Sequence, residues 1–294
     1  MTQQKTPALA WILLISLALV WGSSFILIKK GLVVLSAGEV GALRVFSAGA
    51  FVFFPALYQL KHVSVSQLKY ILIVGLFGSL IPSFLFAIAQ TRVSSSITGV
   101  LNALTPFNTV LIGLLFFKIR SKSIIYFGMG LGLVGTAILI LTGSDGQLQL
   151  NAYGLFIILA TVLYGVNVNV IKYKLAGVNS MTITSLSLAM VGPAAGIYLF
   201  GFTPLVSHMS DEGGPLAIAY ICVLGVVGTA IALIIFNKLV QLTDPVFTAS
   251  VTYLIPIVAI SWGLLDGERL SFYHLIGMVT ILGGVYITNI AGRS

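Results

Sequence analysis

The sequence predicts an all-α integral membrane protein in which ten transmembrane helices form two inverted five-helix repeats. Three observations support this fold class: the composition, the number of long apolar segments and the similarity of the two halves. Of 294 residues, 58% are hydrophobic and only 7% are charged, whereas an ordinary soluble domain carries about 25% charged residues. So few charges cannot cover a surface that faces water, and the chain therefore needs lipid around most of its surface.

The apolar segments approach the length of about 20 residues that crosses the hydrocarbon layer. The first is longer than the 7–15-residue apolar core of a secretory signal, and we expect it to remain as a helix. The connections are short, so no soluble domain is expected. The ten predicted spans cover residues 8–28, 38–58, 69–89, 94–116, 124–142, 152–172, 180–201, 215–237, 246–265 and 272–291.

The distribution of charges predicts the orientation in the membrane. If the N-terminus is cytoplasmic, ten of the 15 Lys and Arg residues lie in cytoplasmic segments, as the positive-inside rule requires. The outer segments hold Lys29, Lys30, Arg92 and Arg269. We therefore expect a multi-pass protein of the inner or plasma membrane with both termini in the cytoplasm. A net charge of +8 is also typical of nucleic-acid-binding proteins, but here the positions of the charges fit the membrane topology, and nucleic acid is not an expected partner.

The two halves of the sequence align with each other at nearly constant offsets. An offset of 143 residues pairs Trp21-Gly22-Ser23-Ser24 with Tyr164-Gly165-Val166-Asn167. An offset of 150 pairs Gly75 with Gly225, Phe86 with Phe236, and Pro106 with Pro256. Five helices per half is an odd number, so the second half enters the membrane from the opposite side. The predicted repeats are residues 1–143 and 152–294, with 144–151 as the connecting loop.

Several short motifs occur in a characteristic order along the chain. They are Trp21-Gly22-Ser23-Ser24-Phe25, Arg44, Leu104-Thr105-Pro106, Leu254-Ile255-Pro256 and Gly263-Leu264-Leu265-Asp266-Gly267-Glu268. In these motifs and in its repeat, the sequence resembles the drug/metabolite transporter superfamily, in its ten-helix EamA-type branch. The resemblance implies a carrier that exports or exchanges amino acids, nucleobases, sugars or other metabolites. One departure is that Lys118 stands at the repeat equivalent of Glu268, where the family usually has an acid.

Polar residues inside the spans are expected to face the bundle interior, because hydrocarbon offers them no hydrogen bonds. Thr98, Asn102 and Thr105 recur at helical spacing and share one face of the fourth span. Two interpretations stay open: these side chains line a substrate cavity, or they only join and pack helices, at about 0.6 kcal/mol per hydrogen bond. The cavity candidates are Asn102, Thr98, Thr105, Trp21, Ser24, Tyr164, Asn167, Ser83, Phe86, Thr252 and Tyr253.

Arg44 is the charge that lies well inside a span. Ser36 and Glu39 fit a capping box that opens the second span, so Arg44 lies about 12 Å beyond the cap at 1.5 Å per residue. An ionisable residue at this depth is a candidate for binding a substrate carboxylate. The alternative is a structural role, with Arg44 paired to Glu39 or bonded to backbone carbonyls.

Two prolines are predicted to act on helix geometry. Pro106 and Pro256 each remove a helix hydrogen bond and free the carbonyl four residues earlier, at Asn102 and Thr252. A kink is expected in both helices. It serves gating if it is mobile, and a static kink is the alternative.

The remaining motifs exclude several classes of function. No Asp or Glu lies in mid-span, which argues against export of polyvalent cations. Coupling to protons through Asp266 or Glu268 stays open, although both acids are expected at a solvated helix end. The G-x-G-x-x-G run at residues 130–135 lacks a preceding strand, and no metalloprotease or Walker motif occurs. We therefore expect no enzyme activity, no metal and no cofactor.

The sequence thus predicts a secondary-active or facilitative transporter of small metabolites. Our first choice is an exporter of amino acids or related zwitterions that works by alternating access. Open alternatives are export of nucleobases, sugars or drugs and, from another class, a membrane-embedded enzyme or a non-transporting sensor. The expected partners are a small-molecule substrate and the lipid bilayer. A coupling proton, and the choice between monomer and homodimer, are left open.

Overall fold

The computed structural model describes residues 8–117, 123–142, 150–242 and 251–291. Helices joined by short turns and loops make up this part of the chain, and it contains no β-strand. Two π-helical segments join consecutive α-helices: Leu76–Leu80 lies between Val65–Gly75 and Ile81–Gln90, and Val226–Ile231 lies between Gly214–Gly225 and Ala232–Leu242. The helices are α1 Ala8–Gly31, α2 Ala37–Phe51, α3 Phe53–Gln59, α4 Val65–Gly75, α5 Ile81–Gln90, α6 Ser95–Asn102, α7 Thr105–Phe117, α8 Ser123–Leu141, α9 Gly154–Lys174, α10 Ser180–Phe202, α11 Gly214–Gly225, α12 Ala232–Leu242, α13 Val251–Leu265 and α14 Phe272–Ala291.

Ten apolar helical segments correspond to the ten predicted spans, and residues 246–250 of the ninth predicted span lie outside the described residues. Six of them are long and apolar enough to cross a membrane, and the pair α2–α3 is a seventh span bent by 57°. The other three are shorter apolar helices at Tyr126–Leu141, Leu254–Leu265 and Phe272–Ile287. The predicted fold class, an all-α membrane protein, is confirmed for the described part of the chain.

The second span is not the single helix that the sequence predicts. It is interrupted at Val52, between α2 and α3. Pro55 lies in the first turn of α3 and has no N–H to donate to the carbonyl of Phe51, the last residue of α2. The bend therefore falls at the one place in this span where the hydrogen-bond ladder lacks a donor.

Glycines allow the closest helix crossings in the bundle. A Cβ on Gly49 of α2 would lie 2.8 Å from the carbonyl oxygen of Leu188 and 3.0 Å from the Cα of Gly192, both on α10. Lipid chains are as apolar as leucine, so membrane helices associate through close packing and interhelical hydrogen bonds. Small residues at the α2–α10 crossing bring the two backbones into direct contact.

The crossings occur in mirrored pairs. Gly22 on α1 faces α13, where its Cβ would lie 3.0 Å from the carbonyl oxygen of Ile255 and within 2.7 Å of the Val258 side chain. Its repeat equivalent, Gly165 on α9, faces α7, where its Cβ would lie 2.8 Å from the carbonyl oxygen of Asn108. Asn108 and Val258 are themselves equivalent at the offset of 150. The alignment of the halves therefore predicts which helices touch.

The two π-helical segments are also repeat equivalents. Each follows a glycine that faces the backbone of another helix: Gly75 lies against the carbonyl of Ser187, and Gly225 lies against the carbonyl of Arg44. Arg44 and Ser187 correspond at the offset of 143. Single turns of π-helix are rare and are frequent at functional sites, so their paired occurrence directs attention to the space between them.

The α2–α10 crossing gives the first prediction. In the Gly49→Ala variant the new Cβ meets backbone atoms that cannot rotate away, and we expect a loss of about 1–3 kcal/mol in stability. The matched control is Gly130→Ala on α8, whose Cβ would have no atom within 4 Å and should be neutral or slightly stabilising. Thermal unfolding in detergent measures both. Equal midpoints for the two variants would contradict the crossing.

Candidate functional site

Two mirrored aromatic pairs lie at the centre of the bundle. Trp21 of α1 packs against Phe236 with ring centroids 5.4 Å apart, and Tyr164 of α9 stacks on Phe86 at 6.0 Å. The indole Nε1–H of Trp21 donates to the carbonyl oxygen of Gly228, 3.1 Å away, in the second π-helical segment. The structure therefore brings the predicted equivalents Trp21 and Tyr164 into equivalent surroundings, one in each repeat.

The polar partners of these aromatic residues face the π-helical segments. A Cβ on Gly228 would lie 3.3 Å from Oγ of Ser24, and a Cβ on Gly78 would lie 2.7 Å from Nδ2 of Asn167. Ser24 Oγ donates to the carbonyl oxygen of Val20, 3.1 Å away. Oδ1 of Asn167 is buried without a hydrogen-bond partner among the described residues. A buried acceptor left unpaired is costly, and this oxygen can therefore accept from a bound ligand.

Arg44 projects from α2 towards the second repeat. Its Nε–H donates to Thr229 Oγ1, 3.1 Å away in the second π-helical segment. The predicted capping box is present, with the backbone N–H of Ser36 donating to Glu39 Oε2 at 2.8 Å. The remaining Glu39 oxygen faces Nε2 of His208 at 3.4 Å. The alternative that pairs Arg44 with Glu39 is wrong, and Arg44 has no carboxylate partner in the described part of the chain.

The fourth span is broken between α6 and α7, just before Pro106. The carbonyl that Pro106 leaves free belongs to Asn102, and it accepts a hydrogen bond from Thr105 Oγ1 at 2.8 Å. Thr98 Oγ1 similarly donates to the carbonyl of Ser94 at 2.8 Å. Both hydroxyls therefore bond within their own span. The side-chain amide of Asn102 is partly buried and makes no hydrogen bond to a described residue.

The sequence-based analysis missed a pair of buried asparagines that joins α7 to α9. Asn108 Nδ2 donates to Thr161 Oγ1 at 2.8 Å, and Asn169 Nδ2 donates to the carbonyl of Thr109 at 2.9 Å. The repeat gave no signal for Asn108, because its equivalent is the apolar Val258. Its position off the Thr98–Asn102–Thr105 face was the available clue that it binds a neighbouring helix.

The other predicted cavity residues divide between α5 and α13. Ser83 and Phe86 of α5 are 4% and 3% exposed. Thr252 of α13 is partly buried, and the side chain of Tyr253 lies outside the described residues. Helix α13 continues through Pro256 without a break, unlike the span that contains Pro106. The two equivalent prolines therefore have different effects on their helices.

The carboxylate of Glu268 joins three spans at one end of the bundle. One oxygen accepts from the N–H and Oγ of Ser95 at 2.9 and 2.7 Å, and the other from the N–H and Oγ of Ser96 at 3.0 and 2.6 Å. Nζ of Lys29 lies 2.9 Å from the first oxygen. The side chain is 5% exposed, so the expectation of a solvated helix end is wrong for Glu268. It occupies the N-terminus of α6, where backbone N–H groups favour an anion.

Asp266 completes this Glu268 cluster, which consists of Lys29, Lys30, Ser95, Ser96, Asp266 and Glu268. Asp266 pairs with Lys29 at 2.7 Å and also with Lys30. Burial alone would raise the pKa of Glu268, but the hydrogen bonds from Ser96, Lys29 and Ser95 outweigh it and lower the pKa from 4.5 to about 2. The hydrogen bonds from Lys29 and Lys30 lower the pKa of Asp266. Both acids are therefore ionised at neutral pH, which argues against either as the coupling proton's carrier in this state.

Two cavities lie at the ends of the bundle. One, of about 520 Å³, lies at the Glu268 end between α6, α8, α9 and α14 and is lined by Arg92, Arg269 and Asn151 among others. The second, of about 420 Å³, lies at the opposite end beside Tyr58 and Asn179. Neither is lined by the Trp21, Arg44 and Tyr164 side chains.

The geometry defines a multi-pass membrane protein with two five-helix repeats and a polar and aromatic centre between them. Residues 8–141 and 152–290 each match the EamA-like transporter family. The chain belongs to that family, and the predicted resemblance is confirmed. The family is one of transporters and not of enzymes. The chain is thus a transporter of small molecules.

The fold is shared with solved structures. One solved crystal structure of a protein superposes with a TM-score of 0.63 at 19% sequence identity, and the match covers 97% of this chain and 98% of that one. Twenty-two solved chains match. The comparison with curated proteins gave no match. At this level of identity the likeness establishes the fold and leaves the substrate open.

The Glu268 cluster gives the second prediction. A carboxyl whose pKa is lower in the folded state contributes stability above its unfolded pKa of 4.5, and that contribution is lost as the pH falls towards 2. The shift to about 2 corresponds to about 3 kcal/mol. We expect Glu268→Gln to be less stable at pH 7 and to lose less stability on acidification than the wild type.

The control for this prediction is Glu212→Gln, because Glu212 is exposed. Chemical unfolding in detergent at pH 7, 5 and 3 compares the three proteins. Parallel pH profiles for the wild type and Glu268→Gln would show that the buried hydrogen bonds do not hold the carboxylate in its charged form.

Proposed function

We propose that the protein exports a small zwitterion, an amino acid or a close relative, by alternating access. The observation that supports this substrate class is Arg44. Its guanidinium is fixed by one hydrogen bond to Thr229 and has no carboxylate partner among the described residues. A charge at membrane depth is costly unless it is paired, and a substrate carboxylate would supply the pair with two parallel hydrogen bonds.

The opposite end of a zwitterion would find acceptors on α9. Oδ1 of Asn167 lacks a hydrogen-bond partner within the described chain and lies about one helical turn from Tyr164, whose ring stacks on Phe86. An ammonium group can donate to this oxygen and lie over an aromatic face. The donors for a substrate carboxylate are therefore on α2, in the first repeat. The acceptor for its ammonium group is on α9, in the second repeat.

Alternating access requires that one end of the bundle close while the other opens. The Glu268 cluster ties α1, α6 and the end of α13 together, which supports a closed state at that end. At the opposite end the repeat places Lys118 and Lys172 at the equivalents of Glu268 and Lys29. Two lysines cannot form this ion pair, and Lys118 itself lies outside the described residues. We propose that the resting protein is closed at the Glu268 end, which the positive-inside rule assigns to the outside.

The decisive experiment is counterflow in proteoliposomes. Vesicles preloaded with unlabelled amino acid, nucleobase or sugar should accumulate label only for the class that the carrier exchanges. We expect accumulation of amino acids. Accumulation of nucleobases or sugars alone would replace the zwitterion assignment with one of its alternatives. Absence of all counterflow from folded protein would favour a sensor or a carrier that needs a partner.

The third prediction concerns Arg44. Arg44→Gln removes the only positive charge that the described residues of the centre offer to a carboxylate, and we expect amino-acid counterflow to fall by at least about tenfold. Arg44→Lys keeps the charge without the bidentate geometry and should retain part of the activity. Lys61→Gln, at an exposed position far from the centre, is the control. Full activity in Arg44→Gln would remove the carboxylate assignment.

The fourth prediction separates substrate contact from structure on the fourth span. Asn102→Leu should abolish counterflow with little change in stability, because the Asn102 amide has no described hydrogen-bond partner to lose. Asn108→Leu breaks the hydrogen bond to Thr161 and should instead lower stability by about 1–3 kcal/mol. Counterflow and thermal unfolding are measured on both proteins. Normal transport by Asn102→Leu would exclude Asn102 from the site.

A further inference from the structure

The cations at the Glu268 end fall into two groups. Lys29 and Lys30 are paired with Asp266 and Glu268. Arg92 and Arg269 have no carboxylate partner among the described residues. Both of these arginines line the same cavity, between α6, α8, α9 and α14. The unpaired positive charge of this end is thus concentrated at one opening.

The cavity combines this charge with an apolar wall. Its volume of about 520 Å³ falls in the range of about 300–1,000 Å³ that is typical of small-molecule sites. Ile97 and Leu101 of α6 and Leu139 of α8 form part of its wall. At the rim, Leu150 is 68% exposed and Tyr153 is 37% exposed. A small inorganic ion would leave this apolar surface uncovered.

The backbone around the opening is held in place. Nδ2 of Asn151 donates to the carbonyl of Arg92 at 3.0 Å, and Arg269 directly follows the buried Glu268. His274 also lines the cavity, but its ring is engaged on both sides. Nδ1 accepts from the backbone N–H of Ser271 at 3.2 Å, and Nε2 lies 2.9 Å from the carbonyl of Thr142. Among the described residues of the lining, the two arginines are therefore the cations available to a ligand.

We propose that this cavity binds an amphipathic anion, with a phosphate or carboxylate head between Arg92 and Arg269 and an apolar chain along α6 and α8. Guanidinium groups present paired donors that match phosphate and carboxylate geometry. An anionic membrane lipid and a water-soluble anion are two sources of this chemistry. The site is separate from the central Arg44 region, and the proposal does not depend on which substrate the carrier moves.

The test uses full-length protein in an uncharged maltoside detergent. The probes are phosphatidylglycerol, inorganic phosphate and uncharged diacylglycerol, with thermal unfolding as the readout and native mass spectrometry to count bound lipid. We expect phosphatidylglycerol to raise the unfolding midpoint and to remain bound to the protein. The apparent Kd should rise by about tenfold or more for each arginine changed to glutamine.

The variants are Arg92→Gln, Arg269→Gln and their combination, with Lys174→Gln at the opposite end as the control. If the double glutamine variant does not fold, the Arg92→Lys/Arg269→Lys protein keeps the charge and should retain phosphatidylglycerol. Equal retention by the double glutamine variant, or equal stabilisation by diacylglycerol, would overturn the proposal. Stabilisation by inorganic phosphate with no bound lipid would overturn the amphipathic assignment. Stabilisation by both anions, with the lipid bound more tightly, would support it.

Discussion

Direct contact between helix backbones is the constraint on which the rest of this structure depends. In lipid there is no hydrophobic gain from bringing two apolar helices together, so the bundle has to gain stability from surfaces that fit closely. Gly49 against Gly192, and Gly22 against the carbonyl of Ile255, provide such surfaces. Once these crossings are fixed, the positions of the side chains between the repeats follow, including that of Arg44, five residues before Gly49 on α2.

The lack of water in the hydrocarbon layer also determines how polar groups are distributed between the ends and the centre of the bundle. At the Glu268 end, charges are paired with each other and with helix N–H groups, and the pKa of Glu268 falls to about 2. At the centre, Arg44 and Asn167 keep hydrogen-bonding capacity that no described residue uses. Groups that hold the structure are satisfied by the protein itself. We propose that a substrate completes the unsatisfied groups at the centre, Arg44 and Asn167.

The sequence predicted much of the fold because the hydropathy pattern locates the spans and the internal repeat relates residues that are far apart in the chain. The ten spans, the capping box at Ser36 and the equivalence of Trp21 with Tyr164 all followed from patterns. The break at Val52 did not, because one proline in an apolar run does not say whether the helix bends or continues. Pro106 and Pro256 illustrate this: equivalent in sequence, they lie beside a break in one span and within a continuous helix in the other. Glu268 was misjudged because its donors, Ser95 and Ser96, are more than 170 residues away.

The mirrored crossings also constrain the geometry of the state in which the other end of the bundle is open. The contact of Gly22 with α13 is equivalent to the contact of Gly165 with α7. The contact of Gly75 with α10 is likewise equivalent to the contact of Gly225 with α2. If the two repeats exchange conformations, every distance between one such pair becomes the distance between its counterpart. The distances between helices in this one state therefore already define a set of distance restraints for the state that is open at the other end of the bundle. Pairs of spin labels placed at equivalent positions should exchange their separations when the carrier turns over.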